Sequence, residues 1–341
     1  GVIERMCGIC GIAGELSSHS ELYLEKVENM TRQLRHRGPE VESVMQFRNA
    51  ILGHTRLKII DTSDASNQPF TDPDQNRAMV YNGESYNYHE LQSELAARGH
   101  PIHTSGDTEV VFRQIATAGH HGLQKIDGMF ALGYWNSEEQ ELLLARDRLG
   151  IKPLYYFQSG EILFFASEIR ALLAAIPERN VDYEALSHYL QYQSFPAHNT
   201  LVRGIKQLPE GHALTFKVGS PVQVKAFYSL KNIFEKTNIE NEDPSILKNS
   251  FQSAVKRRLV SDVPLGAFLS SGIDSAATVA MMQQVHEGPV KTFTLGFGYH
   301  EDDERPLARR LAKEMGTDHT EIELSYEQIL QQVPQSVKAM D

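Results

Sequence analysis

The pattern of strands and helices changes near residues 231–243, and that change restricts the folds available to this chain. Before it, strand-like apolar runs outnumber helices, for example at 129–135, 141–146 and 162–166. After it, short strands alternate with amphipathic helices. The first arrangement is typical of stacked antiparallel sheets covered by helices, and the second of a parallel sheet in an α/β domain. The sequence therefore predicts two domains.

Apolar spacing and turn residues place the individual elements. In the N-terminal part we predict a buried strand within 6–16, a helix over 21–36, a strand at 78–81 running into an Asn82-Gly83 turn, a helix over 107–118 with Asp107 as N-cap, and a strand at 153–157. In the C-terminal part we predict a helix over 245–259, a strand at 263–269, a polar loop at 270–275, a helix over 276–285, a strand at 291–297, a helix over 305–315 ended by Gly316, and a strand at 319–324.

Composition excludes several functional classes. The net charge of -11, from 33 basic and 44 acidic residues, argues against nucleic acid or an anionic membrane surface as the main partner. No apolar stretch approaches the ~20 residues that a membrane span needs. The amino terminus lacks the pattern of a secretory signal. Two cysteines, Cys7 and Cys10, cannot form a disulfide framework, so we expect a cytoplasmic protein acting on small molecules.

Cys7 follows Met6 and precedes a small residue. If translation starts at Met6 and the methionine is removed, Cys7 gains a free α-amino group with a pKa near ~8, which can assist proton removal from the thiol. Such a cysteine can attack a carboxamide without a histidine. Asn82 and Gly83 can donate a side-chain and a backbone N–H to the oxyanion, each worth about 3 kcal/mol of barrier.

Each of these residues also has a plainer interpretation. Cys7 can be a buried small hydrophobic residue, and with Cys10 it spells CxxC, a redox pair or half a zinc site. Asn-Gly is a common turn. The charges at Arg56, Glu84 and Asp107 can be surface groups or helix caps. Composition and periodicity do not choose between these readings.

An ordered series of motifs does favour one reading. The motifs are RHRGP (35–39), GHTRLKIID (53–61), QPF (68–70), VYNGESYNYHEL (80–91), SGDTE (105–109), DGMFALGYW (127–135), ARDRLGIKPLYY (145–156) and FASEIRAL (165–172). Together they resemble the class II glutamine amidotransferase domain. That family has an N-terminal-nucleophile fold, a four-layer αββα sandwich, so the resemblance implies α+β architecture here.

The resemblance also implies roles for individual positions. Cys7 matches the nucleophile, and Asn82 and Gly83 match the oxyanion pair. The positions matching glutamine-binding residues are Arg56, Leu57, Lys58, Ile59, Ile60, Asn82, Gly83, Glu84 and Asp107. Within this set we expect Arg56 to bind the α-carboxylate of glutamine and Glu84 and Asp107 its ammonium. The chain departs from the family at Glu40, at Ser85 and in the residues before Met6, and we expect those residues to block Cys7 while they remain.

A second candidate site lies in the loop SSGIDS (270–275), between a strand and a helix. Hydroxyls, backbone N–H groups and a helix N-terminus suit a polyphosphate, although an ordinary N-capped helix is the alternative. The runs at 258–276, 291–297 and 302–322 resemble the adenylating domain of asparagine synthetases. The resemblance implies ATP contacts at Leu269, Ser270, Ser271, Gly272, Asp274, Ser275 and Leu295, with Asp274 also holding Mg²⁺.

Other polar clusters have simpler explanations. Lys256-Arg257-Arg258 fits the solvated end of a helix, His120-His121 a loop, and residues 301–304 a solvated turn. The later motifs of the synthetase family are absent from the sequence.

We therefore predict a glutamine-hydrolysing asparagine synthetase, present as an incomplete chain. The predicted layout is an extension at 1–6, the amidotransferase domain at 7–225, a linker at 226–244, and a truncated parallel α/β ATP-pyrophosphatase domain at 245–341. The expected partners are glutamine, aspartate and ATP, and a homodimer stays open. The alternatives are an amidotransferase acting on another carboxylate and a catalytically silent binding chain. Cys7 disfavours the β-lactam-forming relatives, and SSGIDS disfavours the amidophosphoribosyl class.

Overall fold

The first strand of the computed structural model, β1 (Gly8–Ala13), is buried on both of its faces. Successive side chains of a strand point to opposite sides of its sheet. Ile9 lies in one hydrophobic core together with Trp135, whereas Cys10 lies in a second core together with Met30. The sheet that contains β1 is therefore covered on both sides.

The structure describes residues 6–176, 179–195, 198–234, 243–297 and 303–339. Contacts between Cα atoms divide the chain into two units, one ending at Lys236 and the other beginning at Thr237. Residues 235–242 of the predicted linker lie outside the described residues, as do residues 1–5. The predicted domain limits therefore stay a prediction.

The N-terminal unit contains two six-stranded sheets, and all of the strand pairs described in them are antiparallel. The first sheet has the spatial order β10 (Lys206–Gln207), β8 (Tyr155–Ser159), β9 (Ile162–Ala166), β1, β3 (Ala50–Arg56) and β2 (Val41–Gln46). The second has the order β12 (Gln223–Ala226), β11 (His212–Lys217), β7 (Glu141–Arg146), β6 (Gly128–Asn136), β5 (Arg77–Ser85) and β4 (Phe70–Thr71).

Helices cover the outer face of each sheet. On the first sheet lie α1 (Ser20–Gln33) and α5 (Ile169–Leu173), and on the second lies α3 (Asp107–Ala118), with α2 (Tyr88–Ala97) and α4 (His120–Lys125) packed beside it. Two further helices of this unit are α6 (Tyr183–Tyr192) and α7 (Leu230–Phe234). The layers follow the order helix, sheet, sheet, helix, which confirms the predicted αββα sandwich.

The C-terminal unit alternates helices and strands. Its elements are α8 (Pro244–Arg257), β13 (Gly266–Phe268), α9 (Ile273–Val285), β14 (Lys291–Gly296), α10 (Arg305–Met315), β15 (Asp318–Glu323) and α11 (Tyr326–Ala339). The three strands pair in parallel in the order β13-β14-β15. Gly316 ends α10 in the left-handed conformation, with φ of 69°, as predicted. The parallel α/β prediction is confirmed.

Four local predictions were wrong. His120 and His121 do not lie in a loop, because they are the first two residues of helix α4. Asn82-Gly83 does not form a turn, because β5 continues through both residues to Ser85. Gly106, not Asp107, is the N-cap of α3. Helix α9 begins at Ile273, so Asp274 and Ser275 lie in its first turn and not in the preceding loop. None of the helices in the described part of the chain has the length and apolar character needed to cross a membrane.

Candidate active site

A cavity of about 230 Å³ opens where the ends of β1, β3 and β5 meet the N-terminus of α3. Nearly all of the residues predicted for glutamine contribute to its wall. Those residues are Cys7, Arg56, Leu57, Ile59, Ile60, Asn82, Gly83, Glu84 and Asp107. Lys58 is the one predicted residue outside the lining, and its ammonium pairs with Asp64 at 3.0 Å.

The thiol of Cys7 lies beside the backbone of Leu57. Its Sγ is 3.4 Å from the Leu57 N–H, which donates to it, and 3.6 Å from the Leu57 carbonyl. Burial raises the pKa of the Cys7 thiol, and the Leu57 backbone and the charges of Arg56 and Lys152 only partly offset this. The thiol is therefore protonated at neutral pH, and a base must remove its proton before it can act as a nucleophile.

The side-chain amide of Asn82 is a buried polar group of this cavity that lacks hydrogen-bond partners among the described residues. Its side chain is completely buried, and neither its amide nitrogen nor its amide oxygen has a hydrogen-bond partner among the described residues. A buried amide without partners costs free energy comparable to a lost hydrogen bond. A ligand oxygen in the cavity would accept from this N–H group and remove that cost.

The backbone of Gly83 presents a second donor beside Asn82. Gly83 lies opposite Phe130 in the β5–β6 register. Phe130 directs its polar groups away from β5, because its N–H donates to the Asp147 carboxylate at 3.1 Å and its carbonyl accepts from the Asp147 N–H at 2.8 Å. In an antiparallel pair without mutual hydrogen bonds, both residues point their backbone groups outward. The Gly83 N–H therefore lies on the open edge of β5.

The neighbouring backbone groups on that edge are already used. The Tyr81 N–H donates to Gln68 at 2.6 Å, and the Ser85 N–H donates to Asp107 at 2.8 Å. A side chain at Gly83 would collide with β6, because its Cβ would lie 2.4 Å from the Met129 carbonyl oxygen. The close packing of β5 against β6 therefore requires glycine at position 83. The Gly83 N–H lies between the N–H groups of Tyr81 and Ser85, which both already donate hydrogen bonds.

Arg56 ends β3 and is almost fully buried. Its Nη1 donates to the Ser63 carbonyl at 2.6 Å and to the Asn67 side chain at 2.7 Å, and its Nη2 donates to the Asp61 carbonyl. These contacts orient the guanidinium, which has five N–H donors. The remaining N–H donors are available to a carboxylate in the cavity, which Arg56 lines.

Asp107 and Glu84 supply the negative charge of the cavity. Burial raises the pKa of Asp107 to about 6, against the lowering effect of hydrogen bonds from Ser85 and Tyr81. Burial also raises the pKa of Glu84. Near pH 7.5 the Asp107 carboxylate is charged at a desolvation cost that an ammonium group would offset.

The second predicted site lies between β13 and α9. Ser270 and Ser275 join across the loop, with their Oγ atoms 2.7 Å apart, and the Ser270 N–H donates to Ser275 Oγ at 3.1 Å. The Gly272 N–H donates to Ser270 Oγ at 3.1 Å, and no side chain caps α9. The loop thus places two hydroxyls next to an uncapped helix N-terminus, which suits phosphate oxygens.

The other predicted ATP contacts surround this loop. Leu269 is buried and accepts from Thr294 Oγ1 at 2.5 Å through its carbonyl, whereas Leu295 is half-buried on β14. Among the described residues, no group of three or more His, Cys, Asp or Glu side chains is arranged to hold a metal ion. Mg²⁺ is commonly held by one or two carboxylates together with substrate phosphates. The single carboxylate of Asp274 fits that mode and no other.

Two family models match the chain, one in each unit. Residues 6–228 match the family model described as glutamine amidotransferase domain. The chain belongs to the glutamine amidotransferase family. Residues 247–341 match a second model, described as asparagine synthase. The amidotransferase match covers the unit that contains the Cys7 cavity, and the second match covers the unit that contains the SSGIDS loop.

Curated relatives resemble the chain over nearly its whole length. "Asparagine synthetase [glutamine-hydrolyzing] 1" of Bacillus subtilis (strain 168) is 32% identical over 98% of the chain and 53% of the relative. "Amidase chyE" of Penicillium rubens is 32% identical over 92% of the chain and 50% of the relative. The chain thus spans about half the length of these two relatives. A solved glutamine phosphoribosylpyrophosphate amidotransferase from B. subtilis has 15% identity and a TM-score of 0.48, over 95% of this chain and 92% of that one.

The amidotransferase unit also contains site residues that sequence reasoning missed. Arg37 is buried, donates from Nε to the Cys7 carbonyl at 3.0 Å, and pairs with Glu168 at 2.8 Å. Lys152 lines the cavity and donates to the Met6 sulfur at 2.8 Å. Arg37 and Glu168 belong to RHRGP and FASEIRAL. The signal available in the sequence was a charged residue within each of these motifs. The contact between Arg37 and Glu168, which are 131 residues apart, was not visible in the sequence.

Proposed function

We propose that the N-terminal unit hydrolyses glutamine with Cys7 as the nucleophile, as part of glutamine-dependent asparagine synthesis. The observation that carries this proposal is the buried, unpartnered amide of Asn82, which lines the same cavity as the Cys7 thiol. An apolar core would not retain such a group, whereas an oxyanion site requires one.

The first half-reaction follows from the groups around the thiol. The sulfur of Cys7 bonds to the carboxamide carbon of glutamine, and the thiol proton passes to the departing nitrogen. The carbon–nitrogen bond then breaks and ammonia leaves. In a chain that starts at Cys7, the α-amino group is the base that carries the proton. Water next attacks the thioester, which releases glutamate and restores the thiol.

The oxyanion formed in each step would be stabilised by the side-chain N–H of Asn82 and the backbone N–H of Gly83. Donors that are fixed before the reaction add no reorganisation cost in the transition state. Asp107 and Glu84 suit the α-ammonium group of glutamine, and the remaining N–H groups of Arg56 suit its α-carboxylate. These assignments keep the predicted roles of all five residues.

For the C-terminal unit we propose ATP binding at the SSGIDS loop. Ser270, Ser275 and the N-terminus of α9 would hold phosphate oxygens, and Asp274 would hold Mg²⁺. When bound, Mg²⁺ neutralises phosphate charge and makes pyrophosphate a better leaving group. Adenylation converts a carboxylate, which is a poor electrophile, into a mixed anhydride. Ammonia then displaces AMP to form the amide.

Aspartate as the acceptor carboxylate is supported by the name of the Bacillus subtilis relative. The Penicillium relative carries a different name, amidase, at the same 32% identity. Activity assays should therefore offer other small carboxylates beside aspartate.

The deciding experiment compares two versions of the chain, one beginning at Cys7 and one that keeps residues 1–6, by the glutamate that each releases from glutamine. We expect release from the version beginning at Cys7 and little from the other, because only the first has the α-amino base. Equal release by both would contradict the role of the α-amino group. The absence of release from both, with correct folding shown by circular dichroism, would contradict the glutaminase assignment.

A further inference from the structure

The wall of the Cys7 cavity contains a lysine that the proposed reaction does not use. Lys152 lines the cavity together with Cys7 and Glu84, and only 6% of its surface is exposed. Burying an ammonium group costs free energy, so a buried cation beside a reacting group is a candidate for a functional role. The position of this ammonium identifies the group on which its charge acts.

The loop between β7 and β8 fixes the backbone of Lys152. The Asp147 carboxylate accepts from the Lys152 N–H at 2.9 Å. The same carboxylate accepts from the N–H groups of Leu149 and Ile151, at 3.0 Å each. The Lys152 carbonyl accepts from Nε of Arg146 at 2.8 Å. Because both of its backbone groups are bound, Lys152 extends into the cavity from a fixed point.

The ammonium of Lys152 lies beside the residue that precedes Cys7. Its Nζ donates to the sulfur of Met6 at 2.8 Å. Five covalent bonds join that sulfur to the backbone nitrogen of Cys7, so Nζ lies within about 9 Å of this nitrogen. In a chain that begins at Cys7 the nitrogen is the α-amino group, and Met6 no longer occupies the space beside Nζ.

The other charges of the cavity wall show what the lysine contributes. Two cations, Arg56 and Lys152, stand against two carboxylates, Glu84 and Asp107. The charge of Lys152 acts on the Cys7 thiol and on the Glu84 carboxyl, and it lowers the pKa of each against the effect of burial. Bound glutamine is a zwitterion and leaves the balance unchanged. Without Lys152 the wall would carry one surplus negative charge, which would favour protonation of a nearby amine.

A second group of charges lies on the carbonyl side of Cys7. Arg37 donates to the Cys7 carbonyl at 3.0 Å and pairs with Glu168 at 2.8 Å. Glu168 also contacts Arg170 at 3.1 Å and the ring of His36 at 2.9 Å. Two guanidinium groups against one carboxylate act on the amine in the same direction as Lys152. Substitution of Lys152 leaves this group unchanged.

We propose that Lys152 is a positioning residue of the glutaminase reaction, because its ammonium faces the α-amino group of Cys7 and favours the neutral amine that acts as the base. A nearby cation disfavours a second positive charge on the nitrogen. An ordinary α-amino group has a pKa of about 8, so most of it would be protonated at pH 7 and unable to accept the thiol proton. This inference rests on the proposed hydrolysis of glutamine by Cys7.

The first test is the pH profile of kcat for glutamate release, in versions of the chain that begin at Cys7. Saturating glutamine removes the effect of Asp107 on binding in acid. Lys152→Met keeps the length of the side chain and loses its charge. We expect the acid-side midpoint to rise by about one pH unit, with release severalfold slower at pH 7 and nearly equal at pH 9. Lys152→Arg keeps the charge and should restore the parent midpoint.

The second test measures the amine itself and requires no glutaminase activity. Acetic anhydride acetylates the neutral form of an amine, and mass spectrometry of the N-terminal peptide gives the rate at each pH. All versions begin at residue 7 and carry Cys7→Ala, so that no thiol competes at this position. The midpoint should again rise by about one pH unit in Lys152→Met.

Lys125→Met is the matched control for both tests. Lys125 ends α4, pairs with Glu94 at 2.6 Å and lies outside the wall of the Cys7 cavity. Its loss should leave both midpoints unchanged. Melting temperatures within a few degrees of the parent chain would show that each variant folds.

An acetylation midpoint that Lys152→Met leaves unchanged would overturn the proposal. A kcat that falls by the same factor at every pH would do so as well, because it would assign Lys152 to structure. A higher KM with an unchanged kcat profile would assign it to substrate binding. If the parent chain releases no glutamate, the glutaminase assignment fails, and the acetylation midpoints still decide whether Lys152 acts on the amine.

Discussion

The carboxylate of Asp107 accepts a hydrogen bond from the backbone N–H of Ser85 at 2.8 Å. This contact joins the first residue of α3 to the last residue of β5, two positions beyond Gly83. The Tyr81 hydroxyl donates to the same oxygen at 3.1 Å. The negative group proposed to bind the substrate ammonium is thus held by the strand that carries the proposed oxyanion donors.

Glutamine binding should weaken in acid because of Asp107. Burial raises the pKa of this carboxyl to about 6, so the charge that attracts the ammonium is lost as pH falls through 6. Calorimetry on the Cys7→Ala variant, which cannot turn glutamine over, should show the dissociation constant rising about tenfold from pH 7.5 to pH 5. Asp107→Asn should bind weakly at both pH values. A dissociation constant that is flat with pH in the parent chain would contradict the assignment.

The same carboxyl should cost stability at neutral pH. The pKa of Asp107 in the folded protein lies above the ordinary value of 3.8, so the folded state binds the proton more tightly than the unfolded state does. The stability that this proton contributes is lost as pH rises through 6. Asp107→Asn should therefore raise the melting temperature at pH 7.5 and leave it nearly unchanged at pH 4. A lower melting temperature at pH 7.5 would show that the hydrogen bonds from Ser85 and Tyr81 outweigh the buried charge.

Replacing Cys7 should remove glutamine hydrolysis and leave the fold intact. In the version beginning at residue 7, Cys7→Ala removes the sulfur and should reduce glutamate release to background. Cys10→Ala is the matched control, because Cys10 is buried against Thr31 in the core beneath α1. It should lower stability by about 1 kcal/mol and retain activity. Glutamate release that survives Cys7→Ala would refute the mechanism.

Asn82→Ala should lower kcat for glutamine hydrolysis by about 10²–10³, the usual loss for one oxyanion donor. KM should change little, because the ground-state carboxamide needs the donor less than the oxyanion does. Asn76→Ala, at the tip of the turn before β5, supplies the control with the same chemical change. An equal effect of both substitutions on kcat would argue against an oxyanion role for Asn82.

Glu168→Gln should lower the stability of the fold around Cys7, because Glu168 pairs with Arg37, which donates to the Cys7 carbonyl. Burial alone would raise the pKa of Glu168, but the hydrogen bonds and charges of His36 and Arg37 outweigh it and hold the pKa below its ordinary value. Breaking a buried pair by removing one charge costs about 3–5 kcal/mol. We expect reduced stability at pH 7.5, with the difference from the parent chain shrinking as pH falls below 4. A difference that persists unchanged in acid would assign the loss to packing.

ATP binding to the C-terminal unit should depend on the first turn of α9. Asp274→Asn should weaken binding of ATP with Mg²⁺ more than binding of ATP alone, and Ser275→Ala should weaken both, since it removes a hydroxyl and the bond to Ser270. Thr278→Val, one turn further along α9, is the control. Equal ATP affinity in all four proteins, measured by calorimetry, would place the nucleotide elsewhere.

The sequence alone determined the class of each half of the chain, because hydrophobic periodicity is local. The alternation of strands and helices from residue 263 onward predicted a parallel sheet. Ordered motifs such as RHRGP and VYNGESYNYHEL predicted the αββα sandwich and nine of the fifteen residues that line the Cys7 cavity. The motifs predicted residues far apart in the chain because the resemblance compares many positions in order, from residue 35 to residue 172, and not one local segment.

Only the tertiary structure decided how those residues meet. Asn-Gly is a turn by local preference, yet β5 continues through Asn82 and Gly83 because β6 lies against them and covers the glycine. Asp107 looked like a helix cap, but Ser85, 22 residues away, binds its carboxylate. Arg37 and Glu168 pair across 131 residues. Contacts at such separations depend on strand order and register, which no local pattern of residues specifies.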